Sequence, residues 1–175
     1  MADMYAVIRT DLMSGVKQPA DLVSVRFYDA AGTSGKEAAV ENGVIVELKG
    51  YLEGENETFE REIFKGIPAT AGSDLNACAI LDAPEVDYDE RKRNLDEYIN
   101  VAGKNIRGYV PRSRNKFGLT AEGFVSGAAP AVGGKVGIGA GGKLTASGTG
   151  FGTCVAIENA GRYTYYVIEI GKTEK

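Results

Sequence analysis

A glycine-rich stretch near the end of the chain contains the residues whose spacing most directly suggests chemistry. Gly137, Gly139 and Gly142 have the spacing G-x-G-x-x-G, and Gly142 with Lys143 ends a G-x-x-x-x-G-K pattern. Both spacings occur in loops whose backbone N–H groups hold the phosphates of a nucleotide. Such a loop requires a helix that begins at its last glycine, because the N–H groups and the dipole at the helix N-terminus bind the phosphate.

The residues after Gly142 oppose that helix. Leu144 stands where a phosphate-binding loop has the Ser or Thr that holds magnesium. The segment that follows, KLTASGTGFGTCVAI, is rich in glycine and in β-branched residues, which are poor helix formers. We therefore predict that the chain binds no nucleotide and uses no other cofactor, and that these glycines form turns between short strands.

The sequence contains no histidine, which is the commonest general base and a common metal ligand in proteins. Catalytic triads that use histidine, and zinc sites that contain it, are therefore excluded. Asp87, Asp89 and Glu90 form an acidic cluster, but basic residues follow at once and the spacing of a calcium loop is missing. We predict a solvated surface there, no metal site and no enzymatic activity. A hydrolase that works through two carboxylates is a further hypothesis for the function, beside the two that are given at the end of this subsection.

Charge and hydropathy limit the partners of the chain. The formal net charge is -4, which disfavours binding to a nucleic-acid backbone, and the basic run at residues 107–116 is interpreted as a solvated loop or a partner contact. No apolar run reaches the ~18 residues of a membrane span, and the first residues lack a secretion signal. We expect no membrane contact and folding in a cytoplasm. Cys78 and Cys154 lie in apolar contexts, which favours buried free thiols.

Short alternating or continuous apolar runs recur along the chain between turn residues, as is typical of β-strands. The predicted strands in the first part of the chain are 4–10, 21–29, 43–52, 58–66, 76–84, 105–113 and 115–120, the last two as a pair. After a connector rich in small residues, four more strands are predicted within residues 135–170. Their tight turns favour a small barrel-like module.

One segment has the periodicity of a helix instead. Leu95, Tyr98, Ile99 and Ala102 are spaced i, i+3, i+4, i+7, which places them on one face of a helix. A glycine follows directly and is a suitable residue to end that helix. The sequence thus predicts a single long helix near residues 88–102.

These elements together predict a protein that is mainly β with one helix, of the α+β class. A β-rich N-terminal domain is expected over residues 1–125 and includes the helix. A small Gly-rich β-barrel-like C-terminal unit is expected over residues 126–175.

The run LDAPEVDYDERKRNLDEYINVAGKNIRGY, with VENGVIVELKGYLEGENE before it and GRYTYYVIEI after it, resembles small virion proteins of tailed bacteriophages and prophages of Gram-positive bacteria. The chain is similar, from about residue 40 to residue 170, to their head decoration (capsid cement) proteins, which are encoded beside the major capsid protein. The resemblance implies a structural role: binding to the major capsid protein on the capsid exterior, and stabilisation of the head. It also implies self-association, often as a homotrimer, within virions assembled in the bacterial host cytoplasm.

We predict that the contact with the capsid or with a neighbouring subunit is made by Tyr5, Val7, Ile8 and Arg9, because a terminal strand can complete the sheet edge of another chain. Deletion of residues 1–10 is then expected to abolish capsid binding and to leave the rest of the chain folded.

The alternative function is a head-fibre or surface carbohydrate-binding module. The tyrosines near the end of the chain, Tyr163, Tyr165 and Tyr166, are its candidate stacking residues. Packing within the sheet is the other interpretation of the same residues.

Overall fold

The computed structural model describes residues 4–13, 16–17, 19–29, 35–52, 62–86, 94–148 and 150–171. Within these residues the chain forms eleven β-strands and five single turns of 3₁₀-helix. The strands are β1 (Ile8–Arg9), β2 (Asp21–Phe27), β3 (Ile45–Tyr51), β4 (Ile63–Pro68), β5 (Cys78–Leu81), β6 (Asn105–Val110), β7 (Lys116–Leu119), β8 (Lys135–Ile138), β9 (Leu144–Thr145), β10 (Gly152–Ala160) and β11 (Tyr163–Ile170). The 3₁₀ turns are Leu75–Ala77, Leu95–Glu97, Ala121–Gly123, Val125–Gly127 and Ala140–Gly142.

Five strands within residues 21–110 form a closed barrel in the order β2-β4-β3-β5-β6. Strands β2 and β4 are parallel, and the other neighbouring pairs are antiparallel. Aliphatic side chains fill the interior, where Val25, Val46, Leu81 and Ile106 are at most 2% exposed. Because the barrel is closed, each of these five strands has a partner on both sides.

The other six strands form one sheet in the order β1-β7-β11-β10-β8-β9. One hydrophobic cluster joins this sheet to the barrel, since it contains Phe117 and Leu144 from the sheet together with Ile45 and Ile80 from the barrel. The chain is therefore mainly β, as predicted, and its barrel and sheet share a core.

The predicted helix near residues 88–102 is wrong. In the described part of that segment, the one helical element is the 3₁₀ turn Leu95–Glu97. Burial alternates along the segment, with Asp96, Tyr98 and Asn100 buried. A period of two is that of an extended chain, so the helical spacing of the apolar residues does not reflect the conformation.

Polar contacts with the residues just before β3, and one within the segment, hold this segment extended. The backbone of Asn100 exchanges two hydrogen bonds of 2.9 Å with that of Val40. The Asn100 side-chain Nδ2 donates to Oδ1 of Asn42 at 2.9 Å, and the Tyr98 hydroxyl donates to Oδ1 of Asn100 at 3.1 Å. A helix there would lose these bonds and leave buried amides unpaired, at a cost of roughly 1–3 kcal/mol for each group.

The predicted C-terminal barrel is corrected as well. Four strands do lie within residues 135–170, but they belong to the six-stranded sheet, and the closed barrel lies within residues 21–110. Strands β6 and β7, predicted to pair, lie in the barrel and in the sheet respectively. Short strands with tight turns have the same local pattern whichever sheet they join, so the pattern did not identify their partners.

The strands of the sheet come from both ends of the chain. β1 pairs with β7, and β7 pairs with β11. Hydrogen bonding between strands therefore crosses the boundary predicted between residues 125 and 126.

Candidate docking surface

The N-terminal segment, the predicted contact site, lies against the chain's own sheet. Val7 is 1% exposed and Ile8 is 6% exposed, because the segment packs in the core beside β7. Tyr5 is partly buried, and the Arg9 guanidinium pairs with Glu158 at 3.0 Å. The buried side chains of Val7 and Ile8 contact a partner only if β1 leaves the sheet.

Backbone groups on both sides of β1 in the sequence are also bonded within the chain. The Ala6 N–H donates to the Glu41 carboxylate at 2.8 Å, and the Tyr5 N–H donates to the backbone oxygen of Asp96 at 2.8 Å. The backbone oxygen of Thr10 accepts from Met13 at 2.9 Å. These bonds use backbone groups that an added strand would need.

The tyrosine set near the end of the chain is mostly packed inside the molecule. Tyr165 is 4% exposed, and the guanidinium of Arg9 lies over its ring at 5.3 Å. Burial raises the pKa of Tyr165, and the charge of Arg9 opposes that shift. The Tyr166 ring meets Phe124 edge-on with centroids 5.8 Å apart. This arrangement matches the packing interpretation of these residues.

Tyr163 takes part in a polar cluster that joins the tip of the β10–β11 hairpin to the extended segment. Its hydroxyl donates to Oδ1 of Asp96 at 3.2 Å, and Arg162 donates to the other Asp96 oxygen at 2.7 Å. The pKa of Tyr163 is raised by burial and by the charge of Asp96. Asp96 is 3% exposed, so its carboxylate works as a structural acceptor between two elements.

A surface groove of about 670 Å³ is lined by residues of β2, β4 and β6 and by the last residue of β3. We call it the β2 groove and define it by Leu22, Tyr51, Phe64, Lys104 and Arg107. Leu22 is 62% exposed and Tyr51 is 56% exposed, so both are accessible to a partner. The ring centroids of Tyr51 and Phe64 lie 4.5 Å apart, so the two rings form one apolar surface.

Two cations of the β2 groove are held in place by hydrogen bonds. The Arg107 guanidinium donates to the backbone oxygen of Asp82 at 2.9 Å and to its carboxylate at 3.0 Å. The Lys104 ammonium donates to the hydroxyl of Tyr98 at 2.6 Å. The groove thus combines an exposed apolar surface with fixed hydrogen-bonding side chains and with the carboxylate of Glu62, which suits a partner surface that is apolar at its centre and polar around it.

Sequence reasoning missed this groove, although one signal was present. In β2, Leu22 shares its parity with the polar residues Ser24 and Arg26, opposite the buried Val25 and Phe27. An apolar residue on the polar face of a strand marks an exposed apolar site. The other residues of the groove come from strands distant in sequence, and only the barrel brings them together.

The basic run at residues 107–116 is largely neutralised within the chain. Arg107 pairs with Asp82, Arg112 pairs with Asp21 at 2.9 Å, and Lys116 pairs with Glu169 at 3.2 Å. These cations stabilise contacts between elements, at a typical worth of ~0–1 kcal/mol for each exposed pair.

The glycine-rich stretch forms a turn and no phosphate-binding loop. Ala140–Gly142 is a 3₁₀ turn, and strand β9 follows it where such a loop requires a helix. The Lys143 ammonium bonds to the Glu41 carboxylate at 2.6 Å and to the backbone oxygen of Glu122 at 2.8 Å. Lys143 therefore ties this turn to the N-terminal half of the chain.

Three further findings concern the chemistry of the chain. Cys78 and Cys154 are free and buried, as predicted, and burial raises the pKa of the Cys154 thiol.

Among the described residues, no group of three or more Cys, Asp or Glu side chains is placed to hold a metal ion. The acidic cluster at residues 87–90 lies outside the described residues. The described part of the chain also has no helix of the length and hydropathy that a membrane span requires.

Comparisons of the chain with models of protein families, with curated proteins and with solved structures gave no match.

Proposed function

We propose that this chain is a structural virion protein that binds the outer surface of a phage capsid and stabilises the head. The β2 groove is the observation that carries the proposal, together with the resemblance of the sequence to head decoration proteins. The groove is the docking face, and the major capsid protein is the partner. The protein acts without catalysis, on the exterior of virions assembled in the bacterial cytoplasm.

The composition of the β2 groove supports this assignment. Exposed apolar patches bordered by polar groups mark interaction sites on soluble proteins, and aromatic residues and arginine are enriched in the cores of interfaces. Tyr51, Phe64 and Arg107 supply both kinds of residue. The groove lies on a closed barrel, so its residues are positioned before the partner arrives and binding orders few side chains.

The experiment begins with particles from the source organism, induced and banded on a density gradient. The 18.5 kDa polypeptide is quantified against the major capsid protein. We expect a near-stoichiometric ratio in DNA-filled heads. Its absence from the particles contradicts the proposal.

The docking face is tested with purified protein added to particles made without it. Leu22→Lys places a charge in the groove. We expect a loss of affinity of roughly 10- to 100-fold, which corresponds to the free energy of burying one leucine side chain. The matched control is Val132→Lys, since Val132 is 60% exposed and lies outside the groove. Equal binding by the two variants contradicts the assignment of the groove.

The assembly state is also part of the proposal. The resemblance implies a homotrimer on the capsid. The residues Tyr5, Val7, Ile8 and Arg9, first predicted as the contact, are in this proposal part of the folded body that supports the groove.

A carbohydrate-binding module is the second candidate, and the exposed ring of Tyr51 is the observation that favours it. A sugar stacks on such a ring, and Asn105 and Glu62 line the same groove with hydrogen-bonding groups. The particle experiment separates the two candidates. A few copies in each particle, together with glycan binding that is lost in Tyr51→Ala, favour the module.

A further inference from the structure

Strand β10 has a long edge that no other strand covers in the described part of the chain. β11 pairs with β10 from Gly152 to Ala160, with a β-bulge at Val155 between the partnered residues Cys154 and Ala156. On the other side, β8 pairs only with Gly152 and Thr153, and backbone bonds from residues 133 and 134 extend the cover to Cys154. Residues 155–160 are thus open on one side. An open edge presents unpaired N–H and C=O groups to which another strand can add.

The hairpin geometry shows which backbone groups point outward. Gly161 and Arg162 form the two-residue loop, and Gly161 has φ 62°, as in a type II′ turn. Ala160 and Tyr163 close such a hairpin with two hydrogen bonds, and hydrogen-bonded and non-bonded pairs alternate from there. Asn159 and Ile157 therefore direct their N–H and C=O groups towards the open edge.

The β-bulge at Val155 limits pairing at one end of this edge, whereas residues 156–160 carry few of the side chains that usually prevent it. Residues 155–160 read VAIENA and contain neither lysine nor proline, which natural proteins place on exposed edges. Val155 is 38% exposed and Ile157 is 44% exposed. The one charged residue, Glu158, is already paired with Arg9 at 3.0 Å. Strand β1, by contrast, has only two residues, and the backbone groups of Ala6 and Thr10 beside it are bonded within the chain.

We infer that β10 binds β10 of a second copy of this chain, antiparallel, about a two-fold axis at Ile157. In this register Ile157 lies opposite the partner's Ile157, and the two exposed side chains bury each other. Ala156 lies opposite Glu158, so no like charges face each other directly, and the regular pairing ends where Asn159 reaches the bulge at the partner's Val155. A register shifted by one pair towards the hairpin tip places Glu158 opposite Glu158, which is unfavourable.

A shift in the other direction is blocked. It requires the partner's residues 158 and 159 to lie beside residues 153 and 154, where β8 and residues 133 and 134 already bind. The two-fold register at Ile157 therefore avoids both the charge conflict and the covered part of the strand, and it places the two exposed Ile157 side chains against each other. The contact is small for a protein interface, so we expect a weak dimer that depends on protein concentration.

Disulfide trapping tests the register in the purified, full-length protein. Ile157→Cys brings two thiols together across the axis, because Cα atoms of a hydrogen-bonded pair lie about 5.5 Å apart, within the range of a disulfide. Val155→Cys is the matched control on the same strand, with its two thiols more than about 13 Å apart. The native thiols do not interfere, since Cys78 and Cys154 are at most 1% exposed.

We expect Ile157→Cys to form a disulfide-linked dimer at least about tenfold faster than Val155→Cys, as read on a non-reducing gel. Equal rates for the two variants overturn the inference, because they indicate random collision.

Sedimentation measures the same pairing without cross-linking. We expect a reversible dimer that Ile157→Lys abolishes and Leu22→Lys retains, at protein concentrations up to about 1 mM. A protein that stays monomeric over this range, or a dimer that persists in Ile157→Lys, overturns the inference. The homotrimer of the proposed function forms on the capsid, and this measurement uses the free protein, so failure of the dimer and failure of the proposed function are distinguishable.

Discussion

Two glutamates show how local surroundings set the charge behaviour of single residues. Glu85 is partly buried, and burial is the main reason that its pKa is raised above 4.5, the ordinary value for glutamate. Glu47 receives hydrogen bonds from Lys49 and from Ser73, and these lower its pKa below 4.5. The two carboxyl groups therefore affect the free energy of unfolding with opposite dependence on pH.

Neutral substitutions of these glutamates should shift stability in opposite directions at pH 7. Glu85 stabilises the fold fully only below pH 4.5, and its contribution is lost as pH rises through its folded pKa. Glu85→Gln should therefore unfold at higher urea concentration than the wild type at pH 7, and the difference should vanish below pH 4.5.

Glu47→Gln is the opposite case. The contribution of Glu47 is present above pH 4.5 and is lost as pH falls through its folded pKa. Glu47→Gln should be the less stable protein at pH 7, and the difference should close in acid. Urea unfolding at a series of pH values measures both variants, and two curves with the same sign would contradict the assignment.

At the scale of elements, the glycine-rich turn between β8 and β9 brings the sheet close to the barrel. Gly141 and Gly142 both have positive φ, 66° and 76°. A Cβ atom on Gly141 would meet nothing within 4 Å, whereas one on Gly142 would lie 2.3 Å from the backbone oxygen of Ile45 in β3. Gly142, the last glycine of the pattern that resembles a nucleotide-binding loop, is thus required for close packing against the barrel.

Alanine substitutions at these two adjacent positions separate backbone strain from packing. Gly141→Ala should cost about 1–2 kcal/mol, the penalty of left-handed backbone for a residue with a Cβ atom. Gly142→Ala carries the same penalty and also forces two backbones apart, so we expect a further loss of at least about 2 kcal/mol. Chemical denaturation measures both, and equal losses would show that the approach to Ile45 is unimportant.

At the scale of the whole molecule, the first strand joins the N-terminal segment to the six-stranded sheet. β1 connects the N-terminus to β7, and β7 connects it to the last strand, β11. Ala6, Val7 and Ile8 are buried in the process. A segment predicted from the sequence to reach another chain is therefore part of the core of its own chain.

Deletion of residues 1–10 should accordingly destabilise the whole protein, in contrast to the expectation from the sequence that the rest stays folded. Loss of the buried Val7 and Ile8 alone should cost roughly 3–6 kcal/mol, a large part of the 5–15 kcal/mol typical of a domain. Thermal unfolding followed by circular dichroism measures the effect. Met4→Ala is the control, because Met4 is 59% exposed; a truncated chain as stable as this variant would contradict the prediction.

Much of the fold was predictable because it depends on local pattern. Period-two runs identified the segments that contain β2, β3, β10 and β11, and the apolar contexts of the two cysteines identified buried thiols. The segment at residues 94–100 was not predictable. Its conformation depends on hydrogen bonds from Asn100 to Val40 and Asn42, about 60 residues earlier, and these bonds leave no periodic signal in the sequence.

The sequence by itself determined that this chain is a β-protein without histidine chemistry, because residue types and their alternation along a strand are local properties. Only the tertiary structure decided which strands form the barrel, which strand edges are covered, and that Leu22, Tyr51 and Arg107 share one groove. Strand partners are set by contacts between distant segments, such as Ile8 with Leu119. A local pattern contains no information about such a partner. The candidate docking surfaces combine residues from strands distant in sequence, so they could be identified only from the tertiary structure.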